Sequence, residues 1–345
     1  MLKRVINAPQ RPAFTLKRKR LRERPAVSRV RLILTGALLL LLGPPLVIGL
    51  AALSGIGHRW VDILAQFVGP AISAAALIAL VTLALRLRMA LGGAIATVLV
   101  LLIAGWPQWF PPTGQAQAGA PALSLYSANV WVENQDVAAV ARSVQAADAD
   151  IVVLVEVGEP LVAGLDRIIG PYPHRVVGRA KTGRKGPSRY IFASRFPIRP
   201  VDTFAEQLDA AGVVADTPLG PVTVVGVHLT RPWPYQFQWG QIIQARGLSK
   251  WRTDFPGPMI VAGDFNSVSS ARIGRQIQAE TGLIPAPGWP GTWHSALPSA
   301  ATMTIDQVYR SSDLTLLDRR LGRRNGSDHR PVVTRFTRAA PPPAD

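Results

Sequence analysis

The sequence predicts an α/β (α+β) fold of two mixed sheets packed between helices, preceded by about three transmembrane helices. Three observations lead to this prediction. Long apolar runs without any charge occur only before residue 107. After residue 121, short apolar runs of strand length alternate with stretches that have helical spacing, as expected of layered sheets and helices. Several of these short runs end in a carboxylate, an amide or an imidazole.

The three long apolar runs cover residues 32–53, 63–85 and 89–106. Each is close to the roughly 20 residues that a helix needs to cross a bilayer. A buried hairpin of a soluble protein is the alternative. A cleaved signal peptide does not fit, because the first run is too long and two more follow it. Residues 32–106 are therefore predicted to be a transmembrane region.

Basic residues predict how this region is oriented. Residues 1–31 contain eleven Lys or Arg and a single acid, Glu23, and the link Arg86–Arg88 between the second and third runs is also basic. The positive-inside rule places both in the cytoplasm, so residues 1–31 are predicted to be a basic cytoplasmic tail. Three crossings then predict a multi-pass protein of the inner membrane of the cell, with residues 107–345 on the extracytoplasmic side.

The net charge of +17 is concentrated outside the globular part of the chain. Residues 1–31 contribute +10 of it, and the residues after the transmembrane region contribute +5. Most of the excess therefore indicates topology or attraction to anionic lipid, with nucleic-acid binding by the tail as the alternative. The chain has no cysteine, which excludes disulfides and thiolate chemistry.

Residues 107–120 are predicted to be a linker. The aromatic and Pro-rich segment Trp106–Pro112 is typical of the membrane interface and of the end of a helix. Residues 113–120 are small and polar, which favours a flexible tether. Residues 339–345 are Pro-rich and predicted to be disordered. The globular domain is accordingly assigned to residues 121–338.

Within that domain, apolar runs bounded by Gly, Pro and polar residues predict the elements in chain order. Strands are predicted at 122–130, 150–156, 172–177, 189–195, 199–206, 212–216, 221–229, 258–263, 303–309, 313–320 and 330–337. Helices are predicted at 135–147, 159–169, 235–252 and 269–280.

Polar side chains recur where these strands begin or end. They are Asn129, Glu156, His228, Asp264 with Asn266, Asp306, and Asp328 with His329. Each has an alternative interpretation as a turn residue, an exposed carboxylate or a core histidine. Their repetition is hard to explain by packing, because burying an unpaired charge costs several kcal/mol. In α/β folds, functional groups cluster at strand ends.

This ordered set resembles the endonuclease/exonuclease/phosphatase superfamily over roughly residues 121–337, and the segment 190–198 resembles it too. The resemblance implies a four-layer αββα sandwich whose polar strand ends form one cleft. Two positions depart from the common pattern. Val130-Trp131 follows Asn129, and Gln307 stands where many members carry His or Tyr. Neither departure removes a catalytic group.

The residue types favour metal-assisted hydrolysis. No Gly-x-Ser-x-Gly motif occurs, so a covalent serine mechanism has little support. Glu156 is a hard oxygen ligand suited to Mg²⁺, with Mn²⁺ as an alternative ion. Asp328 is the candidate second ligand, and Asn129 would orient Glu156 or touch the ion. Zinc is the competing interpretation, which five His and the absence of His-Glu-x-x-His disfavour.

The resemblance also implies roles for the remaining site residues in the hydrolysis of a phosphate ester. Asp264 would orient or deprotonate the attacking water, and Asn266 would hold a phosphate oxygen. His329 would pair with Asp306 and exchange a proton with the phosphate or water. His228 would stabilise the pentacovalent oxygens or protonate the leaving group.

The sequence therefore predicts a membrane-anchored, Mg²⁺-dependent phosphodiesterase, nuclease-like and acting outside the cytoplasm. A phospholipid or phosphoinositide head-group phosphoesterase is one alternative, and a non-catalytic domain that binds phosphorylated ligands is another. The expected partners are a nucleic acid or phospholipid substrate and the lipid bilayer, and no protein partner is predicted.

Two groups of residues are candidates for substrate contact. Basic side chains that could attract phosphate are Lys181, Arg184, Lys185, Arg189 and Arg231. The first four belong to a Gly-rich stretch that a solvated loop would also explain. Aromatic residues that follow His228 are Trp233, Tyr235, Phe237 and Trp239. They would either pack at the start of a helix or form a rim; an aromatic rim favours lipid, and a basic groove favours DNA.

Overall fold

A computed structural model describes residues 29–178, 189–201, 208–232 and 237–341. Most of the predicted basic tail lies outside these ranges, as do Lys181, Arg184 and Lys185. The described chain begins with five helices. They are α1 (Arg29–Leu41), α2 (Gly43–Ser54), α3 (Arg59–Ala65), α4 (Val68–Ala84) and α5 (Arg88–Trp109).

The five helices make up the predicted apolar region. Two helices, Arg29–Ser54 and Arg88–Trp109, are long and apolar enough to cross a membrane. The pair α3 and α4, bent by 56°, makes a third span if counted as one. Helix α5 continues to Trp109, past the end predicted near residue 106, with Pro107 inside its last turn.

Twelve strands follow within the described ranges. They are β1 (Leu123–Asn129), β2 (Ile151–Val157), β3 (His174–Gly178), β4 (Arg189–Ser194), β5 (Ile198–Pro200), β6 (Ala210–Thr217), β7 (Gly220–His228), β8 (Met259–Asp264), β9 (Ile284–Pro285), β10 (Asp306–Arg310), β11 (Leu314–Leu321) and β12 (Val332–Arg338). The helices between them are α6 (Val137–Ala147), α7 (Glu159–Ala163), α8 (Leu165–Ile169), α9 (Trp239–Asp254), α10 (Arg272–Thr281) and a 3₁₀ turn at Ser299–Ala301.

The strands form two mixed sheets of six. The first sheet has the order β11-β12-β1-β2-β4-β3, and the second has β5-β6-β7-β8-β10-β9. Side chains alternate across each strand, as in β2, where Val153 faces the second sheet and Val152 faces α6 and α8. A third core lies between the second sheet and helices α9 and α10. The fold is therefore the four-layer αββα sandwich that the resemblance implied.

Two elements differ from the sequence predictions. The helix predicted at 159–169 is divided at Gly164, where an added Cβ would lie 2.5 Å from Val137, so α7 and α8 turn around this close contact. The strand predicted at 199–206 corresponds to β5, which ends at Pro200, and residues 202–207 lie outside the described ranges. The short strand β9 has no counterpart in the prediction, since two residues carry no periodicity.

The segment predicted to be a flexible tether is bound along the edge of the first sheet. Leu316 N donates to Thr113 O at 3.1 Å, and Gln117 N donates to Arg338 O at 2.9 Å. Ala116 forms an isolated antiparallel bridge with Ala339. The small polar composition of residues 113–120 is thus explained by close backbone pairing, and the expected freedom of this segment is not observed.

Candidate active site

Strand register aligns three of the predicted site residues across the end of the second sheet. In the parallel pair β7–β8, His228 stands opposite Asp264, and in the antiparallel pair β8–β10, Asp306 stands opposite the same Asp264. Residues in register on neighbouring strands point to the same face of a sheet. Three polar side chains therefore lie side by side at one edge of the domain.

The first sheet supplies two more side chains through the parallel pair β1–β2. Asn129 is the last residue of β1, and Glu156 lies in an irregular part of β2 between Leu154 and Val157, where pairing with β4 shifts register. Glu156 has a φ of 56°, which is uncommon for a residue with a Cβ. Such bulges redirect a side chain, and here the redirection turns Glu156 toward the second sheet.

The two sheets meet through direct contacts among these residues. Glu156 Oε1 lies 2.9 Å from His228 Nε2. Asn129 donates from Nδ2 to Asp264 Oδ2 at 3.1 Å, and the same carboxylate oxygen is 3.8 Å from His228 Nε2. Side chains that come from both layers of the sandwich thus form one cluster.

His329 completes the cluster from the segment before β12. Its Nδ1 lies 2.8 Å from Asp306 Oδ2, so Asp306 holds the imidazole in one orientation. Its Nε2 is 3.8 Å from both Asp264 Oδ2 and Asp328 Oδ1. The pairing of His329 with Asp306 that the resemblance implied is therefore present, with Nε2 directed at Asp264.

The contacts shift the pKa values of the site residues. Burial would lower the pKa of His228, but the hydrogen bond and charge of Glu156 outweigh it and raise the pKa to about 9. Burial would raise the pKa of Glu156, but His228 outweighs it, and the pKa falls to about 2. Burial, opposed chiefly by the charge of His329, leaves the pKa of Asp264 raised to about 6. The pKa of His329 is raised to about 10 because Asp306 and Asp264 outweigh its burial.

These values describe a zwitterionic cluster at neutral pH. Glu156 is a carboxylate, and both His228 and His329 carry a proton. Asp264 ionises close to neutrality, the range in which a general base is most effective. The arrangement can therefore accept a proton at one carboxylate and donate protons from two neighbouring imidazoles.

Asn266 and Asn129 have their side-chain amides engaged within the protein. Asn266 donates from Nδ2 to Leu229 O at 2.9 Å, which joins the loop after β8 to the loop after β7. Its backbone N donates to Asp264 Oδ1 at 2.8 Å. Asn129 accepts from Trp131 N through Oδ1 at 2.9 Å, and its amide interacts with both Asp264 and Glu156, whose pKa it helps to lower.

Trp293 was not among the residues predicted to form the site. Its Nε1 donates to Asp328 Oδ2 at 3.0 Å, and its backbone bridges both Met303 and His329. The neighbouring Thr292 Oγ1 accepts a hydrogen bond from Asp306 N at 3.2 Å. Trp293 therefore orients Asp328, the candidate second metal ligand. It lies in an irregular segment with no periodic pattern, so the sequence carried no signal for it.

The described basic candidates have different surroundings. Arg189, at the start of β4, donates to Glu159 Oε1 at 2.6 Å. The Arg231 guanidinium carbon lies 5.8 Å from the centre of the Trp293 ring, a cation–π distance. Arg231 is thus placed beside the cluster through Trp293, and Arg189 is partly neutralised by an exposed carboxylate.

Two sets of three side chains have the spacing needed to hold a cation. The sets are Glu156 with His228 and Asp264, and Asp264 with Asp306 and His329. In each set the potential ligand atoms all lie within 4.8 Å of one another. In the first set the carboxylate oxygens of Glu156 and Asp264 suit a hard divalent cation, whereas His228 would have to lose a proton before it could act as a ligand.

Comparisons with known proteins agree with this geometry. A family model described as Endonuclease/Exonuclease/phosphatase family matches residues 126–329, a range that contains every member of the cluster. No curated protein matches the chain. Solved structures also resemble its fold at low sequence identity, and three of them are described next.

The first is an endonuclease/exonuclease/phosphatase from Beutenbergia cavernae DSM 12333, with a TM-score of 0.53 and 21% identity over 65% of this chain and 73% of that chain. The second is a functionally unknown conserved protein from Enterococcus faecalis V583, with a TM-score of 0.52 and 15% identity over 63% and 100% of the two chains. The third is an endonuclease/exonuclease/phosphatase from Bacteroides vulgatus, with a TM-score of 0.52 and 13% identity over 63% and 98%.

Proposed function

The chain belongs to the endonuclease/exonuclease/phosphatase family, and on that premise we propose that it is a membrane-anchored, Mg²⁺-dependent hydrolase of phosphodiester bonds. The observation that carries this proposal is the cluster in which Glu156, His228, Asp264 and the pair Asp306–His329 meet at the junction of the two sheets. Nuclease-like and lipid-directed enzymes would share this reaction.

Glu156 would hold the metal ion, with Asp328 as the second ligand that Trp293 orients. When bound, Mg²⁺ would neutralise charge on the phosphate and polarise the ester. Burial opposes the ionisation of Glu156, and the hydrogen bond and charge of His228 outweigh it, so the low pKa reflects the imidazolium beside this carboxylate. The contact between Glu156 and His228 would then give way to a contact with the ion.

Asp264 acts as the base that orients and deprotonates the attacking water. Asn129 and the backbone N of Asn266 fix its two oxygens, so the carboxylate is held in one rotamer. Its pKa of about 6 leaves it ionised at neutral pH and close enough to neutrality to accept a proton.

His228 and His329 supply positive charge and protons to the phosphate. Asp306 accepts the Nδ1 proton of His329, which leaves the Nε2 proton directed into the cluster. Two imidazolium groups beside one phosphate stabilise the charge that develops on its oxygens in the transition state. One of them can protonate the leaving oxygen.

Membrane anchoring and an extracytoplasmic location are supported by the helices. Leu40, Leu80 and Ile103 are among many apolar side chains that are exposed on them, as lipid contact would require. Because α4 and α5 form a hairpin, the basic link Arg86–Arg88 lies at one end of the bundle. The α5 terminus that leads into the globular domain lies at the other end, and the positive-inside rule then puts the domain outside.

The test uses the full chain in nanodiscs with bis(p-nitrophenyl) phosphate, a soluble phosphodiester. We expect hydrolysis that requires Mg²⁺, is abolished by EDTA, and falls at least about 100-fold in Asp264→Asn, because general base catalysis contributes that much. Asp318→Asn, which removes an exposed carboxylate on β11, is the matched control and keeps full activity. Hydrolysis that survives EDTA or the Asp264 substitution would contradict the proposal.

A further inference from the structure

Three loops that border the cluster also contact the apolar helices. The first follows His228 at the end of β7, the second follows Asp264 at the end of β8, and the third precedes Asp306 at the start of β10. We call residues 229–232 with 237–239, residues 265–272 and residues 286–304 the site loops. The strand ends of the second sheet that carry the cluster are therefore on the side of the sheet that contacts the helices.

Asp62 of α3 makes the most buried of these contacts. It is 2% exposed and accepts a hydrogen bond from Arg272 N at 2.5 Å and another from Gln238 Nε2. Arg272 also donates from Nη1 to Gly57 O at 2.5 Å. These hydrogen bonds satisfy the buried carboxylate, as a buried polar group requires. Asp62 thus joins the first two site loops to the bundle.

Helix α5 contacts the second and third site loops. Gln108 accepts from Gly288 N at 2.7 Å through its backbone and from Ser270 Oγ at 3.2 Å through its side chain. The rings of Trp109 and Trp289 meet edge to face at 5.6 Å. Ala271 and its neighbour Val268 are buried in the same apolar cluster as the helices. The two parts of the chain therefore share a packed core.

Helix α4 contacts the tip of the third site loop. Ser73 donates from its hydroxyl to Ala300 O, and an added Cβ on Gly69 would lie 3.0 Å from Thr302 O. Ser73 is five residues into α4, so this contact lies about 8 Å along the helix from its first residue, at 1.5 Å per residue. Helix α4 belongs to the second predicted span, so the third site loop packs against that span near the N-terminal end of the helix.

The face that surrounds these contacts carries exposed aromatic side chains and a cation. Trp60 is 48% exposed, Phe237 is 76% exposed and Trp239 is 60% exposed. The Arg59 guanidinium carbon lies 4.6 Å from the Trp60 ring and 5.5 Å from the Phe237 ring. Aromatic rings together with Arg are typical of the membrane–water interface. We call Trp60, Phe237 and Trp239 the aromatic rim.

The bound linker removes the freedom that would let the site turn away from the bilayer. Residues 113–117 are hydrogen-bonded to β11 and the end of β12, so the domain is held at both the linker and the site loops. A nucleic acid would have to enter between the domain and the membrane surface. A lipid phosphate is already at that level.

We propose that the substrate is a phosphodiester of a membrane lipid in the leaflet on which the domain rests, which enters the cleft sideways past the aromatic rim. This rests on the proposed phosphodiesterase function and specifies its substrate class. The head group is the part of the lipid that reaches the cluster, and the acyl chains stay in the bilayer. The rim residues contact the interface and set the access of lipid to the cluster.

The test compares three substrates on the full chain in nanodiscs of phosphatidylglycerol and phosphatidylcholine. Lipid hydrolysis is followed by ³¹P NMR, plasmid nicking by gel, and bis(p-nitrophenyl) phosphate hydrolysis by absorbance. We expect Mg²⁺-dependent loss of lipid phosphodiester signal and little plasmid nicking. We expect Phe237→Ser with Trp239→Ser to lower the ratio of lipid to soluble-diester hydrolysis about tenfold.

Leu317→Ser, which changes an exposed apolar residue on β11 away from the rim, is the matched control and leaves that ratio unchanged. Cleavage of the plasmid and the soluble diester without cleavage of lipid would overturn the lipid proposal while the phosphodiesterase function stands. Cleavage of none of the three substrates would overturn the phosphodiesterase function itself. Lipid hydrolysis with an unchanged ratio in the rim variant would overturn the assigned route.

Discussion

Asp264 is the residue through which the two sheets share one site. One of its oxygens accepts from Asn129 of the first sheet, and the other accepts from the backbone of Asn266 in the second. Both imidazoles approach the Asn129-bound oxygen at 3.8 Å. A carboxylate held in this way loses little conformational entropy when it orients a water, which is the benefit of a preorganised site.

The pair Asp306–His329 gives the first prediction at this scale. Asp306→Asn keeps the shape of the side chain but removes the charge that raises the pKa of His329. We expect kcat for a soluble phosphodiester to fall on the order of 100-fold, as for loss of acid–base catalysis. NMR titration of His329 should show a lower pKa in the same variant. An unchanged pKa together with reduced activity would assign Asp306 a purely structural role.

The contact between His228 and Glu156 predicts how stability depends on pH in the metal-free protein. The folded-state pKa of His228, about 9, lies above its ordinary value of 6.5. The contact of protonated His228 therefore contributes fully to the free energy of unfolding below pH 6.5, and this contribution is lost as the pH rises to about 9. The loss should be on the order of 1–3 kcal/mol.

Thermal unfolding in EDTA, measured from pH 6 to pH 10, checks this prediction. The Tm of the wild-type protein should fall over that range. The Tm of His228→Gln should fall less, because glutamine does not titrate. His329, with a raised pKa of about 10, contributes a similar loss to both proteins. Parallel curves for the two proteins would show that the His228–Glu156 contact adds no stability.

At the scale of elements, the approach of β8 to β7 depends on Gly263. Its φ is +143°, and an added Cβ would lie 2.0 Å from Val227 O. Because that atom belongs to the backbone, the strands themselves would have to move. We expect Gly263→Ala to destabilise the protein by about 2–4 kcal/mol and to displace Asp264.

Gly257→Ala is the matched control for this substitution. An added Cβ at Gly257 meets no atom within 4 Å, so its effect on stability should stay within about 0.5 kcal/mol. Both variants are compared by Tm in the same detergent. Equal Tm values for Gly263→Ala and the wild-type protein would contradict the close contact between Gly263 and Val227 O.

Most strands and helices could be predicted from the sequence, because their apolar residues recur at the spacing that places them on the buried face of a strand or a helix. The grouping of Glu156, His228, Asp264, Asp306 and His329 could also be predicted, since polar groups at strand ends stand out against such runs. Trp293 was not, because its role depends on a hydrogen bond to Asp328 across an irregular segment. The hydrogen bond from Arg272 N to Asp62 could not be predicted either, because two residues so distant in sequence leave no local pattern.

At the scale of the whole molecule, the bound linker predicts resistance to proteolysis. Elastase cleaves after small residues, and Ala116, Ala118 and Ala120 offer such sites. We expect residues 113–120 to stay intact in the full chain, because protease access requires the backbone pairing to open. A flexible tether, as the composition of the segment predicts, would be cut within the first minutes.

Thr315→Val tests whether the hydrogen bonds of the linker protect it from cleavage. It removes the hydroxyl that donates to Gln115 O at 2.8 Å, so cleavage of the linker should become faster. Thr253→Val removes an exposed hydroxyl on α9 and should leave the rate unchanged. Mass spectrometry of the fragments identifies the site of cleavage in each case.

The strand order of the first sheet has a consequence for biosynthesis. Strand β12 lies between β11 and β1, so the last strand of the domain in chain order pairs with the first one. While the chain is still being made, β1 has one open edge, and the sheet closes only when β12 leaves the ribosome. Pairing over such a long separation in sequence is slow. We therefore expect the helices to insert in the membrane before the domain has folded. Asp62 would gain its hydrogen bonds to Arg272 and Gln238 only after the domain has folded against the helices.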